Sequence, residues 1–489
     1  MPPAMEKAIS EMRKESRPGA SPLGGNEPAD QSVSRFAGKR VHFIGIGGCG
    51  MSGLARMLLD SGAVVSGSEP KPNAQTLDLA KRGVKISRDQ MGELLGREID
   101  LVVRTAAVKD NNPEYQASNK YGLESIKYAE LLGQVMQERL GVAIAGTHGK
   151  STTTAMTAYA LLKCGADPSF VVGGTVPQLG GGSRSGKGRA FVAEACEFDR
   201  SFHNLRPRVA VITNIEEDHL DCYKDIHEIV ESFRTFARIV PHDGLILANG
   251  TDHRVLKAIA GLVTPVQTVA VNQPADWSTT VTGIENGCFR GDIRFKGELV
   301  GKLRLSVAGD HNLFDATMAV AACAACGVHP GKAAEALSDF TGVDRRMTEM
   351  GTYRGATVVD DYGHHPTEIR TTLTAIRQKY SPKRLFCVFQ PHQHSRTRFL
   401  LEDFAASFSA ADQTIVADIY FVRDSEAERQ RVTAADLVER INRHGEKAIH
   451  LPRFEQIVEH LRTELHEGDL LVTMGAGNVW EIGRDLVTK

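Results

Sequence analysis

Short, nearly unbroken apolar runs alternate along this chain with longer stretches in which apolar residues recur every three or four positions. The first kind reads as strands buried on both faces, and the second as helices laid against them. Arg40–Ile44, Val64–Ser68 and Asp100–Arg104 are such strands, with a helix running to about Asp60. Val142–Ala145, Ala190–Ala193 and Val209–Asn214 follow, and a helix-compatible run, Thr152–Lys163, succeeds the first of them. Residues 240–305 are strand-rich and insert-like, and Gly309 opens a helix over Thr317–Cys326. Ala356–Asp360, Arg384–Phe389, Gln413–Asp418 and Asp469–Met474 then alternate with helices such as Pro366–Lys379. Alternation of this kind predicts an α/β chain of open, mostly parallel sheets. A length of 489 residues fits about three domains.

Where the strands end, the chemistry begins. Val142–Ala145 empties into Gly146-Thr147-His148-Gly149-Lys150-Ser151, and a helix follows. Glycines let backbone N–H groups approach phosphate oxygens, and the helix N-terminus adds its positive end. Lys150 is placed for the β/γ-phosphates and Ser151 for Mg²⁺. The position five residues before Gly149 is Ile144, where the full phosphate-loop pattern has glycine. Two neighbouring strands end in acids: Glu194-Ala-Cys-Glu197 and Glu216-Glu-Asp218-His219. In a parallel sheet, Lys150, Ser151, Glu194 and His219 share one edge, and carboxylates there suit a divalent cation. The first strand runs into Gly45-Ile-Gly47-Gly48-Cys-Gly50-Met51-Ser52-Gly53, a βαβ turn fit for a nucleotide diphosphate. Glu69 could take a ribose hydroxyl, and Thr105 ends a strand facing the same crevice. A dinucleotide-dependent dehydrogenase fits that turn loosely and is opposed by the phosphate loop. Asn312 either caps its helix or reaches a nucleotide base. The segment Gly173–Gly188 reads as an exposed, flexible loop. His364-His365 and His392-x-His394 have no third ligand at regular spacing, so zinc is not expected there.

Composition narrows the partners. Apolar residues make up 42% and charged ones 24%, and the formal net charge is -2, so neither nucleic acid nor membrane is expected as a partner. Residues 1–35 are rich in Pro, Gly and Ser and read as a disordered tail, without a secretory signal. Eight scattered cysteines suggest a reducing compartment, and cytoplasmic placement is expected. Cys323 and Cys326 read as core packing.

The chain resembles the Mur ligases, ATP-dependent ligases that build the peptidoglycan stem peptide. The carriers, in family order, are Gly45–Ala55, Gly146–Thr152, Glu194–Glu197, Thr213-Asn214 with Asp218-His219, His311-Asn312 and Arg345-Arg346. They continue with Asp360–Glu368, Gln390-Pro-His392, Ser395–Thr397 and Gly475–Gly477. Asp360-Asp-Tyr-Gly-His-His-Pro366 and the Gly50–Ala55 turn point to the alanine-adding branch, and a recycling ligase that adds a ready-made peptide is the alternative.

The resemblance implies three domains over residues 36–138, 139–342 and 343–489: a Rossmann-like one, a P-loop-type ATPase and a second Rossmann-like one. Residues 340–346 would be the hinge. It implies UDP-N-acetylmuramate on Gly45, Gly47, Gly48, Gly50, Met51, Ser52 and Thr105. ATP would lie on Gly146, Thr147, His148, Gly149, Lys150, Ser151 and Thr152, with Asn312, Arg345, Arg346 and Asp361. Tyr362, His364 and Arg396 would meet L-alanine. Lys150, Glu194 and His219 would be catalytic, with Ser151, Glu194 and His219 holding Mg²⁺, in a monomer or homodimer. Departures from the family pattern are Cys196, Asp315, Gln393-His394 and Glu69. Residues 226–241 offer Arg234 and Arg238 but no lysine to carbamylate.

Overall fold

A computed structural model describes residues 34–105 and 107–488; the tail expected over residues 1–35 lies outside them but for its last two positions. Three sheets succeed one another along the chain. The first has five parallel strands in the spatial order Lys85–Ser87, Val64–Ser68, Arg40–Ile44, Leu101–Arg104, Ser125–Lys127. Strand order reverses beside Arg40–Ile44, so a crevice opens at the carboxyl ends of that strand and Leu101–Arg104.

The central sheet has ten strands. Its middle is Val209–Ile212, Leu140–Ala145 and Ala190–Glu194, side by side and parallel. Every residue of Leu140–Ala145 is buried, as an unbroken apolar run demands. Residues 240–305 are no insert: Leu245–Asn249, Val266–Val271 and Trp277–Glu285 continue the parallel sheet, and the hairpin strands Cys288–Phe295 and Glu298–Ala308 finish its edge. The stretch taken as a flexible loop is also structured. Ser183–Arg184 pairs antiparallel with Ser169–Val171 and packs on helix Cys49–Asp60 of the first domain. A Cβ on Gly53 would stand 2.6 Å from the Ser183 Cβ, so only glycine admits this approach. Helix Asp310–Ala325 begins seven residues before the periodicity suggested, because its polar first turn hides the apolar pattern.

The last sheet has six strands, all parallel except for the edge strand Thr348–Tyr353. One buried cluster runs without a break from Val41, Phe43 and Leu54 to Phe202, Phe233 and Ile246, so the first and central domains share a core. The cores of the last domain are its own. Cys323, wholly buried, and Cys326 pack inside the central core, as expected.

Candidate active site

The loop after Leu140–Ala145 is built by backbone constraint. Gly146 has φ 148° and Gly149 φ 82°, conformations that side chains resist. A Cβ on Gly149 would stand 2.6 Å from Asp315 Oδ1, and one on Gly146 would strike the Thr213 hydroxyl. Asn214, beyond the next strand, pins the loop: its carbonyl accepts from Thr147 N–H at 3.0 Å and its Oδ1 from His148 N–H at 2.8 Å. Helix Lys150–Lys163 starts here with no side chain capping it. Its first N–H groups are therefore left for an anion.

Across the three adjacent strands, Lys150 and His219 meet at one acid, Glu197. The Lys150 ammonium donates to Glu197 Oε1 at 3.0 Å and to the carbonyls of Gly146 and Thr147 at 2.5 and 3.0 Å. Burial opposes its charge, but its neighbours, Glu197 foremost, together prevail and its pKa rises. His219 Nε2 lies 3.8 Å from the same Glu197 oxygen. Glu194 Oε1 accepts from Gly173 N–H at 2.5 Å. Glu197 Oε2 and His219 Nδ1 are buried without a hydrogen-bond partner. Unpartnered buried groups of this kind fit a cation or a ligand. In sequence, Glu197 counts only among the strand-end carboxylates suited to a cation, without its pairing to Lys150. It stands in the same acidic turn as Glu194, but only the fold shows which acid faces the lysine.

Asn312 neither caps its helix nor faces solvent: its amide donates to the Ala308 carbonyl at 2.6 Å. Gly309 holds the cap position instead. Asp315, one turn on, is buried beside Gly149, and burial pushes its carboxyl up to about 7.

The last domain closes on this edge through polar contacts. Arg396 Nε and Nη2 both donate to Asp218 Oδ1, at 2.9 and 2.8 Å, with side-chain exposures of only 5% and 9%. Burial opposes the Asp218 charge, but Arg396 holds its carboxyl well below the usual range. Arg345 is committed to its own domain, donating to Asp360 at 2.9 Å and to the Gly475 carbonyl at 2.7 Å. Arg346 reaches Glu368 at 3.3 Å. Asp361 accepts from Met347 and Gly363 N–H groups at 2.9 and 2.7 Å, and burial raises its carboxyl to about 6. Arg345 and Arg346 both lie over the Tyr362 ring, with His364 against its edge. Burial lowers His364 to about 3. Glu216, Glu368 and His365, none of them assigned a role from sequence, gather around His148. Burial disfavours the His148 imidazolium, but hydrogen bonds to Glu216 and Glu368 prevail and its pKa rises to about 9.

In the first domain a cavity of about 610 Å³ opens at the crevice, lined by Gly45, Gly48, Glu69, Gln90, Thr105 and Lys109 among others. Gly47, Gly50, Met51 and Ser52 do not line it. Met51 and Ser52 lie on the buried face of their helix, and Gly50 is packed against Tyr128. Glu69 accepts from the Gly47 N–H at 3.1 Å, so its carboxylate occupies the glycine turn itself.

Three family models match the chain: "Mur ligase family, catalytic domain" over residues 40–140, "Mur ligase middle domain" over 144–323 and "Mur ligase, glutamate ligase domain" over 345–477. A UDP-N-acetylmuramate–L-alanine ligase of Caldanaerobacter subterraneus subsp. tengcongensis is 43% identical, covering 92% of this chain and 98% of its own. The ligase of the same name from Acetivibrio thermocellus is 41% identical, covering 91% and 95%. Among solved structures, UDP-N-acetylmuramate–alanine ligase from Thermotoga maritima superposes with TM-score 0.74 at 24% identity, over 92% of this chain and 98% of that one. A murein peptide ligase from Psychrobacter arcticus gives 0.67 at 28%, with the same coverage.

Proposed function

The chain belongs to the Mur ligase family, and from that premise we infer that it is an ATP-dependent ligase joining L-alanine to the carboxylate of UDP-N-acetylmuramate. The observation that carries the reading is near-full-length identity to L-alanine ligases, on a chain whose phosphate loop, acids and histidine meet at one sheet edge. This is the first step of stem-peptide assembly, which places the reaction in the cytoplasm. Among the described residues no helix is long and apolar enough to cross a membrane.

A carboxylate is a poor electrophile, so its oxygen must first become a leaving group. Transfer of the γ-phosphoryl of ATP to it gives an acyl phosphate, which the amine of L-alanine attacks as phosphate departs. The loop N–H groups and the start of helix Lys150–Lys163 cradle the phosphates. Lys150 exchanges its loop carbonyls for phosphate oxygens, and Glu197 stays beside it to keep it charged. Mg²⁺ held by Ser151 and Glu194, with His219 on a second ion, would offset charge between the two anions. The cavity at Gly45, Gly48 and Thr105 takes the UDP end of the substrate. Arg346 and Tyr362 approach from the last domain. His364, kept neutral, adds no positive charge beside an incoming ammonium. Arg396, held by Asp218, fastens the closing domain and so excludes water from the acyl phosphate.

The protein incubated with UDP-N-acetylmuramate, ATP and Mg²⁺ should release ADP on addition of L-alanine, with an amide-linked product by mass spectrometry. Turnover with a preformed tripeptide in place of L-alanine would establish the recycling activity instead.

A further inference from the structure

His148, Glu216 and His365 each offer one donor atom, and these atoms lie within 4.8 Å of one another. His148 sits in the phosphate loop, Glu216 lies beyond strand Val209–Ile212, and His365 caps helix Pro366–Tyr380 of the last domain. His148 Nε2 is 3.4 Å from Glu216 Oε2, and His365 Nδ1 is 3.7 Å from that same oxygen. A tetrahedral cation with bonds of about 2.0–2.1 Å needs donor–donor edges of about 3.3–3.4 Å. Two edges of the triangle are thus nearly set.

Both imidazoles are held from behind. His148 Nδ1 lies 3.4 Å from Glu368 Oε1, and His365 Nε2 donates to the Glu217 carbonyl at 3.1 Å. The Glu217 carbonyl places the His365 ring hydrogen on Nε2 and turns its Nδ1 lone pair toward Glu216, whereas on His148 a cation would displace the proton that Nε2 shares with Glu216. Carboxylate or carbonyl support behind each imidazole is what orients histidine on a metal. Glu216 Oε2 also accepts the Thr367 hydroxyl at 2.7 Å, which leaves it a lone pair. The Thr367 N–H reaches His365 Nδ1 at 3.3 Å, a long contact that a cation would replace.

We propose that His148, Glu216 and His365 form a binding site for a divalent transition cation of the zinc class, distinct in its donors from the Mg²⁺ set of Ser151, Glu194 and His219. Two imidazoles and one carboxylate suit such an ion, a set richer in nitrogen than the one offered to Mg²⁺, which prefers oxygen. Two donors come from the central domain and one from the last. The cation therefore binds only when the domains are together, and by reciprocity it holds them together. Bound in excess, it slows reopening and with it turnover.

The full-length protein, free of nucleotide and Mg²⁺, is titrated with Co²⁺ by absorption and with Zn²⁺ by calorimetry. One equivalent should bind, with ligand-field bands and no sulfur charge-transfer band. His365→Ala and Glu216→Gln should each weaken binding by at least about tenfold. His219→Ala should leave it unchanged, and Zn²⁺ should raise the Tm of the parent but not of His365→Ala. Should His365→Ala fail to fold, Glu216→Gln, which keeps the side-chain volume, decides the matter. Binding retained in Glu216→Gln, lost in His219→Ala, marked by sulfur bands, or no tighter than millimolar would overturn the site.

Discussion

Asp218→Ala strikes the contact that fastens the last domain. Asp218 and Arg396 are 9% and 5% exposed, and two guanidinium nitrogens share one carboxylate oxygen at 2.9 and 2.8 Å. Removing the acid leaves a guanidinium with no countercharge in a place that water hardly reaches, which costs about 3–5 kcal/mol. Because the partners lie on different domains, the loss falls on closure rather than on the folding of either domain. It corresponds to about a hundred- to a few-thousandfold depletion of the closed form. X-ray scattering during titration with a non-hydrolysable ATP analogue reads this as a shift in the nucleotide concentration that compacts the protein. Arg396→Ala should cost less, since Asp218 keeps His219 as a neighbour. In the Arg396→Ala background, Asp218→Ala should add little. Additive effects, with a coupling below about 0.5 kcal/mol, would refute the reasoning. So would an Arg396→Ala protein that compacts normally while its KM for L-alanine rises, which would assign the guanidinium to the substrate.

Three further outcomes are expected. Lys150→Ala should abolish ADP release driven by UDP-N-acetylmuramate and L-alanine, and near-normal turnover would deny the lysine its role. Gly146→Ala should prevent nucleotide binding, read by calorimetry, because a methyl there meets the Thr213 hydroxyl at φ 148°. Asp315 has its carboxyl raised from 3.8 to about 7, so the folded protein holds a proton that the unfolded chain has lost. Stability should therefore fall as pH rises from about 4 to about 7, by up to about 4 kcal/mol, and then level off. Asp315→Asn should remove that slope in urea titrations at a series of pH values.

The central strands were legible because they are apolar runs, and burial on both faces leaves no polar alternation to misread. Leu140–Ala145 and Leu470–Met474 are of this kind. Short or edge strands such as Lys85–Ser87, Ser125–Lys127 and Thr348–Tyr353 were not legible. Nor were segments whose order comes from partners. Gly173–Gly188 looks loose in sequence and is held by strand pairing and by helix Cys49–Asp60. At the site, Lys150, Glu194 and His219 could be named because each follows a strand of one parallel sheet. Glu197 and Glu216 could not be told from their acidic neighbours, since a run such as Glu216-Glu217-Asp218 carries no sign of which carboxylate faces inward. His365 and Glu368 depend on a domain arriving from more than a hundred residues away. For Met51 and Ser52 the motif marks a turn as a unit, while the helix sends these two side chains into the interior.

The two junctions between domains are made of different stuff. Apolar side chains run unbroken from the first domain into the second, whereas ion pairs and hydrogen bonds dominate where the third meets the second. A greasy seam resists parting because water has nothing to offer it; a seam of charges can be undone and remade, because water replaces each partner in turn. The spacing between the first-domain cavity and the phosphate loop is thereby fixed at folding. In the proposed reaction only the third domain would then have to be set against two reactants already in register.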